Sequence, residues 1–113
     1  MKQYISIEES ESYSTIKINA PVTMDTGADI EEQILKVFDA LSSNIAIDLI
    51  NSQVIFSAGM GLLARLNELA IKQNKSIYII NPTARVFEAL ESLGITKLIE
   101  TFETENEFIN FLK

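Results

Sequence analysis

Two short runs near the N-terminus alternate between apolar and polar residues. Residues 3–8 and residues 13–20 both show the period of two that is typical of a strand with one buried face. A short segment rich in glutamate and serine joins them. This arrangement predicts an antiparallel β-hairpin.

After the hairpin, apolar residues recur at helical spacing in segments that alternate with short apolar runs typical of buried strands. We expect Thr26 and Asp29 to form a capping box at the first helix, and Pro82 to lie in the first turn of the third. The order β-β-α-β-α-β-α-β-α predicts one α/β domain over residues 1–113, with a single layer of about five mostly parallel strands and about four helices. The helical segments are 25–41, 58–74, 82–93 and 104–112, and the strands after the hairpin are 45–50, 76–80 and 98–102.

The segment 54–63 joins an apolar run to the second helical pattern through a turn that contains two glycines. This order predicts a short strand, a tight turn and a helix start. We expect Ser57 at the N-cap, with its hydroxyl accepting the backbone N–H of Met60. Gly59 is expected to leave the backbone open to close approach by another molecule. Because a helix N-terminus favours negative charge, Ser57 is either a plain capping residue or a serine suited to carry a phosphate.

Composition excludes several kinds of chemistry. The 113 residues include no Cys and no His, which removes disulfides, thiolate nucleophiles, the commonest metal ligand and the commonest general base. The 16 acidic and 9 basic residues give a net charge of −7, which disfavours nucleic acid and membrane surfaces and favours a basic partner protein. The N-terminus turns acidic before any apolar stretch, and no run is long enough to span a bilayer. We therefore expect a cytoplasmic monomer with no catalytic activity, cofactor or metal.

Two features of the glycine turn have alternative interpretations. Gly59, Gly61 and Ala64 match the spacing of a dinucleotide-binding loop, but the acidic residue expected about 20 positions later is missing. This turn is also not in the first strand–helix unit, so we do not expect a dinucleotide. Met24 and Met60 each follow an expected strand, and they belong either to an adaptable protein-binding surface or to the edge of the core.

The whole chain resembles the STAS domain family of sulfate transporters and anti-sigma-factor antagonists. The family's characteristic segment is an apolar strand followed by a serine-and-glycine turn and a Leu-rich helix. Here that segment is IAIDL at residues 45–49 and FSAGMGLL at residues 56–63. A second match runs from IYIINP at residues 77–82 to LESLGI at residues 90–95. The resemblance implies the STAS fold over the full length of the chain.

The resemblance also implies a partner switch controlled by phosphorylation. An unmodified antagonist binds an anti-sigma factor that is a GHKL-type serine kinase, and so releases the sigma factor. Phosphorylation of the serine at this helix start breaks the complex, and a serine phosphatase reverses the modification. The matching phosphoacceptor is Ser57. The implied partner-binding residues are Thr23, Met24, Asp25, Thr26, Phe56, Ala58, Gly59, Met60 and Gly61.

Two positions depart from the family pattern. Phe56 precedes the acceptor where the family often has Asp, and Thr23 takes a loop position that is often acidic, with Asp25 two residues later. Two other functions therefore remain open. One is a STAS scaffold module of another signalling or lipid-transport complex, in which Ser57 only caps the helix. The other is a small ligand-binding domain, supported by the double-glycine turn alone.

Overall fold

The computed structural model describes residues 2–113 and places ten secondary-structure elements along them. The strands are β1 (Ile5–Glu9), β2 (Ser14–Ile18), β3 (Asn44–Asp48), β4 (Ser76–Ile80) and β5 (Thr101–Phe102). The helices are α1 (Gly27–Phe38), α2 (Ser57–Lys72), α3 (Ala84–Ser92), α4 (Ile95–Leu98) and α5 (Glu105–Leu112). No helix in this range is both long and apolar enough to cross a membrane.

The strands form one five-stranded sheet in the order β1-β2-β3-β4-β5. The first two strands pair antiparallel, with Ile7 opposite Ile16, and this confirms the predicted hairpin. All other neighbouring strands are parallel, because a helical segment lies between successive strands and returns the chain to the end of the sheet where the previous strand began. The predicted α/β fold, with a mostly parallel sheet and an N-terminal hairpin, is therefore confirmed.

The two faces of the sheet are covered unequally. Ile45 and Ile47 in β3 point into the main core, which the apolar sides of α1, α2, α3 and α4 complete. Ala46 points to the opposite face, where it joins Tyr13 and the fully buried Phe108 of α5. Both faces of the strand are buried, which explains why its three central residues, Ile45, Ala46 and Ile47, are all apolar.

The described residues contain five helices instead of the expected four. Gly94 adopts a left-handed backbone, with φ of +81°, which ends α3 and starts a single further turn at Ile95–Leu98. Ile95 is buried against the main core, so this turn is held by packing. The strand expected at residues 98–102 is consequently reduced to Thr101–Phe102.

Threonine side chains begin the two last long helices. Thr104 accepts the backbone N–H of Glu107 at 3.2 Å and so caps α5. Thr83 accepts the N–H of Val86 at 3.2 Å, which makes Thr83 the cap of α3. The expectation that Pro82 lies in the first turn is therefore wrong, because the proline precedes the cap.

The expected strand at residues 54–56 is not formed. Ile55 makes only an isolated parallel bridge with Val22. Backbone hydrogen bonds run from Val22 N to Val54 O (3.1 Å) and from Phe56 N to Val22 O (3.2 Å). The segment is therefore an extended loop, and it is pinned to the chain that follows β2.

Candidate functional site

The candidate site lies where the loop after β2 meets the start of α2. The backbone bonds of Val22 hold residues 54–56 beside the loop at residues 23–26. At the two helix starts, a Cβ atom built on Gly27 would lie 3.5 Å from the Cβ of Ala58. The structure thus brings together the two segments to which the resemblance assigns the partner-binding residues.

Side-chain hydrogen bonds fix the loop at residues 23–26. The Thr26 hydroxyl donates to Pro21 O at 2.8 Å and accepts Thr23 N at 3.0 Å, while Asp25 N donates to the Thr23 hydroxyl at 3.1 Å. Thr26 occupies the N-cap position of α1 but makes no capping bond, so the expected capping box is wrong. Its hydroxyl is used within the loop instead. This loop leaves the side chain of Met24 91% exposed.

Ser57 is the first residue of α2 and does not cap it. The N-cap is Phe56, whose backbone is extended (φ −103°, ψ −172°), and no side chain caps the helix. The carbonyl of Phe56 accepts the N–H groups of Gly59 at 2.8 Å and Met60 at 3.2 Å. The expected bond from Met60 N–H to the Ser57 hydroxyl is therefore not made. Ser57 is exposed, with its side chain free of any helix-capping role.

Gly59 and Met60 lie inside the molecule. A Cβ atom at Gly59 would lie 2.6 Å from Ile55 Cγ2 and 3.1 Å from Val22 Cβ, so the bare backbone accommodates the loop. The expectation that Gly59 leaves room for another molecule is wrong for this reason. Met60 is 7% exposed and belongs to the main core, so it is not a surface methionine.

The remaining predicted residues form a stretch of surface on the two adjoining segments that contain residues 23–26 and 56–61, and each of them is exposed or half-buried. Phe56 is 57% exposed, although it is a large apolar side chain beside a polar residue. Asp25 is exposed and carries the acidic charge nearest to Met24 in sequence, while Ala58 and Gly61 are half-buried. We call this stretch the Ser57 surface. Its residues are Thr23, Met24, Asp25, Thr26, Phe56, Ser57, Ala58 and Gly61.

A buried carboxylate shapes the loop that leads to this surface. Asp48, at the end of β3, is 5% exposed. Its Oδ1 accepts the N–H of Ile50 at 3.0 Å and the Nδ2 of Asn81 at 3.2 Å. Asp48 therefore ties the end of β3, where the loop toward Phe56 begins, to the end of β4.

Sequence reasoning missed a groove beside Phe56. Gln53, Val54 and Phe56 line one wall, and Arg85 and Ala89 of α3 line the other. The two walls are separated by a helix and a strand in sequence, so no local pattern indicates that they meet. Only the adjacency of β3 and β4 places them together.

The structure is similar to three solved proteins of the same architecture. One is a candidate anti-sigma factor antagonist from Thermotoga maritima (10% identity, TM-score 0.85, covering 94% of this chain and 92% of that one). The antagonist SpoIIAA in its unphosphorylated form gives 15% identity, a TM-score of 0.75 and coverage of 96% and 95%. A second structure of SpoIIAA, from Bacillus and in the phosphorylated form, gives 19% identity, a TM-score of 0.63 and coverage of 96% of this chain and 99% of that one.

The third protein, after the Thermotoga protein and SpoIIAA, is murine solute carrier 26 family member A9, an anion transporter, at 15% identity and a TM-score of 0.78. The match covers 92% of this chain and 18% of the transporter. Identities this low establish a shared fold only. None of the curated protein sequences gives a significant match.

The sequence itself also matches a family model. The model describes the STAS domain and extends over residues 4–108, from the start of the hairpin to the middle of α5. With the fold and the sequence in agreement over nearly the whole length, the chain belongs to the STAS domain family.

Proposed function

We propose that this protein is an anti-sigma-factor antagonist that works as a non-enzymatic binding module in a partner switch controlled by phosphorylation of Ser57. The observation that carries the proposal is the position of Ser57. It is exposed at the first residue of a 16-residue helix, and its side chain has no capping role. A kinase reaches such a hydroxyl without opening the fold.

The surroundings of Ser57 suit a switch that acts by charge. Met24 and Phe56 lie on the two segments that the Val22 backbone bonds hold together, and both offer exposed apolar area that a docking partner must desolvate. A phosphate adds about −1.5 to −2 charges at that point, and the cost of burying them opposes docking. The N-terminus of α2 stabilises the phosphate locally, so the modified protein keeps its fold.

The charge of the protein indicates the chemistry of the partner. The net charge is −7, and Asp25 lies on the Ser57 surface itself. A partner with a basic docking face is therefore steered toward this surface. We propose a GHKL-type serine kinase as that partner and a serine phosphatase as the enzyme that resets it, with the antagonist acting as a monomer in the cytoplasm.

The test combines phosphate mapping with binding. The purified protein is incubated with the cognate kinase and ATP, and the modified residue is located by mass spectrometry. We expect phosphate on Ser57, at least tenfold weaker kinase binding by Ser57→Asp, and wild-type binding by Ser57→Ala that ATP no longer abolishes. Ser43→Asp is the matched control, because Ser43 is also exposed but lies just before β3, at the opposite end of that strand from the chain that leads to Ser57. Equal binding by Ser57→Asp and Ser43→Asp contradicts the switch.

A second function is a STAS scaffold module that binds its partner without phosphorylation. The similarity to a domain-sized part of an anion transporter favours it, because that match covers 18% of the transporter chain. Under this function, a kinase that is active on another substrate leaves Ser57 unmodified. The third expected function, a ligand-binding domain, was supported by the glycine turn alone. The space beside Gly59 is occupied by Ile55 of the same chain, so this support is lost.

A further inference from the structure

We propose that the groove between the loop at residues 53–56 and helix α3 receives a carboxylate and an adjoining apolar side chain of the protein that docks on the Ser57 surface. We call it the Arg85 groove. The inference rests on the proposed function for the identity of the partner. The Arg85 groove adds a second contact to the one at the Ser57 surface. Its charge is positive, whereas the net charge of the protein is negative.

The Arg85 groove consists of three adjoining depressions that share Arg85. Their volumes are about 90, 240 and 380 Å³. The smallest lies against Phe56, the next is lined by Gln53 and Thr83, and the largest extends along α3 to Ser92. Together they form an open, shallow groove with room for several side chains of a docking segment, and Phe56, the neighbour of Ser57 in sequence, lines its smallest depression.

Arg85 supplies the charge in this groove. It is the only charged residue that lines the two depressions nearest the loop, and Glu88 lines the third. The three ion pairs among residues 2–113 are formed by Lys17, Lys36 and Arg65, so Arg85 has no carboxylate partner within the described chain. A guanidinium binds a carboxylate with two parallel hydrogen bonds, which makes that group the best complement.

The position of Arg85 strengthens its preference for an anionic group. It lies in the first turn of α3, where the positive end of the helix dipole adds to its charge. In a protein with a net charge of −7, this is a local positive site within an acidic surface. A uniformly basic partner face is repelled here, so the docking protein must present a carboxylate at this point.

The apolar residues of the Arg85 groove indicate which kind of side chain lies beside the carboxylate of the partner. Val54 and Phe56 line the smallest depression together with Val86 and Ala89. Phe56 is 57% exposed, which is a large apolar area to leave in water next to a cation. An aliphatic or aromatic side chain that precedes or follows the carboxylate buries this area. Because Phe56 also adjoins Ser57, both contacts are made in a single docking event.

The experiment measures the affinity of the cognate kinase for the full-length protein and its variants by calorimetry. Arg85→Glu and Phe56→Asp are each expected to weaken binding by about tenfold or more. Arg85→Lys retains the charge but loses the two parallel hydrogen bonds, so its affinity is expected to lie between those of the wild type and Arg85→Glu. The matched controls are Lys97→Glu and Leu98→Asp. Both residues are exposed, Leu98 by 58%, and neither lines the groove. They are expected to bind like the wild type.

A suppressor identifies the group that enters the groove. Each Asp or Glu on the docking face of the kinase is changed to Lys, and one such variant is expected to restore binding to Arg85→Glu. The proposal is overturned if Arg85→Glu binds within twofold of Lys97→Glu. That result leaves the proposed function intact, whereas no kinase binding by the wild type removes the function itself. Circular dichroism of each variant verifies the fold, and Arg85→Glu still decides the outcome if Phe56→Asp is unfolded.

Discussion

Gly59 packs so closely against Ile55 that a Cβ atom at Gly59 would lie 2.6 Å from Cγ2 of Ile55. The contact holds the loop before α2 against the helix start, directly beneath the Ser57 surface. Such overpacking costs about 1–3 kcal/mol, so we expect Gly59→Ala to lower the free energy of unfolding by that amount in urea denaturation.

Gly61→Ala is the matched control for that prediction. At Gly61 the added Cβ would meet only the end of the Arg65 side chain, at 3.1 Å, and that side chain can move. Alanine also favours the helix by about 0.5–1 kcal/mol relative to glycine. We expect Gly61→Ala to be neutral or stabilising. Equal destabilisation by the two substitutions contradicts the assignment of Gly59 to loop packing.

Ser57→Ala is expected to change the free energy of unfolding by less than about 0.5 kcal/mol, because the Ser57 side chain does not cap α2. Thr83→Ala provides the comparison. The Thr83 hydroxyl accepts Val86 N at 3.2 Å, and loss of such a cap costs about 1 kcal/mol. If Ser57→Ala costs as much as Thr83→Ala, the serine caps its helix in solution.

The ion pair between Arg65 and Glu31 joins α2 to α1, the two helices that begin at the Ser57 surface. Arg65 Nη2 lies 2.7 Å from Glu31 Oε1, and Arg65 Nε lies 3.0 Å from Oε2. These hydrogen bonds raise the pKa of the Arg65 guanidinium. We expect a double-mutant cycle of Arg65→Ala and Glu31→Ala to give a coupling of about 0.5–1 kcal/mol that falls in high salt. A coupling that does not respond to salt contradicts an electrostatic origin.

Tyr13 fastens the hairpin to α5. Its hydroxyl donates to Glu105 Oε2 at 2.6 Å, and its ring packs edge-on against Phe108. Burial, and then the hydrogen bond to Glu105, raise the pKa of Tyr13 above its ordinary value of 10.0. We expect Tyr13→Phe to lower the free energy of unfolding by about 1–2 kcal/mol at pH 8.

This difference depends on pH in a defined direction. Because the pKa is higher in the folded protein than in the unfolded chain, the stabilisation by Tyr13 is fully present below about pH 10. It is lost as the pH rises through the raised pKa. The wild type and Tyr13→Phe should therefore converge in stability as the pH rises from about 10 through the raised pKa. Tyr78→Phe, in the same aromatic cluster, controls for loss of a hydroxyl, and a constant difference at high pH contradicts this role.

The sequence predicts the hairpin, the interior strands and the long helices because each is encoded by a local pattern. The alternation around Ile7 and Ile16, for example, suffices to predict that they share a face of the hairpin. The short turn at Ile95–Leu98 is missed because four residues cannot display a helical period. Its stability comes from Ile95 in the core, which is a contact between distant segments.

The candidate site is predicted less completely for the same reason. Serine is a common N-cap residue, which is why Ser57 is expected to cap α2. The extended backbone of Phe56 instead places Phe56 at the N-cap position. Met60 is three residues from the exposed Ser57, yet the rotation of the helix turns it into the core. Arg85 lies beside Phe56 only because β3 and β4 are neighbours, which no local pattern at either residue indicates.

The order of strands in the sheet equals their order in the chain, and this has a consequence for folding kinetics. Each new strand pairs with the one synthesised just before it, so loop-closure entropy stays small and the sheet grows stepwise from its N-terminal hairpin. The exception is α5. Its Glu105 meets Tyr13 across 92 residues of sequence, so we expect the smaller core to close only when α5 docks against the hairpin.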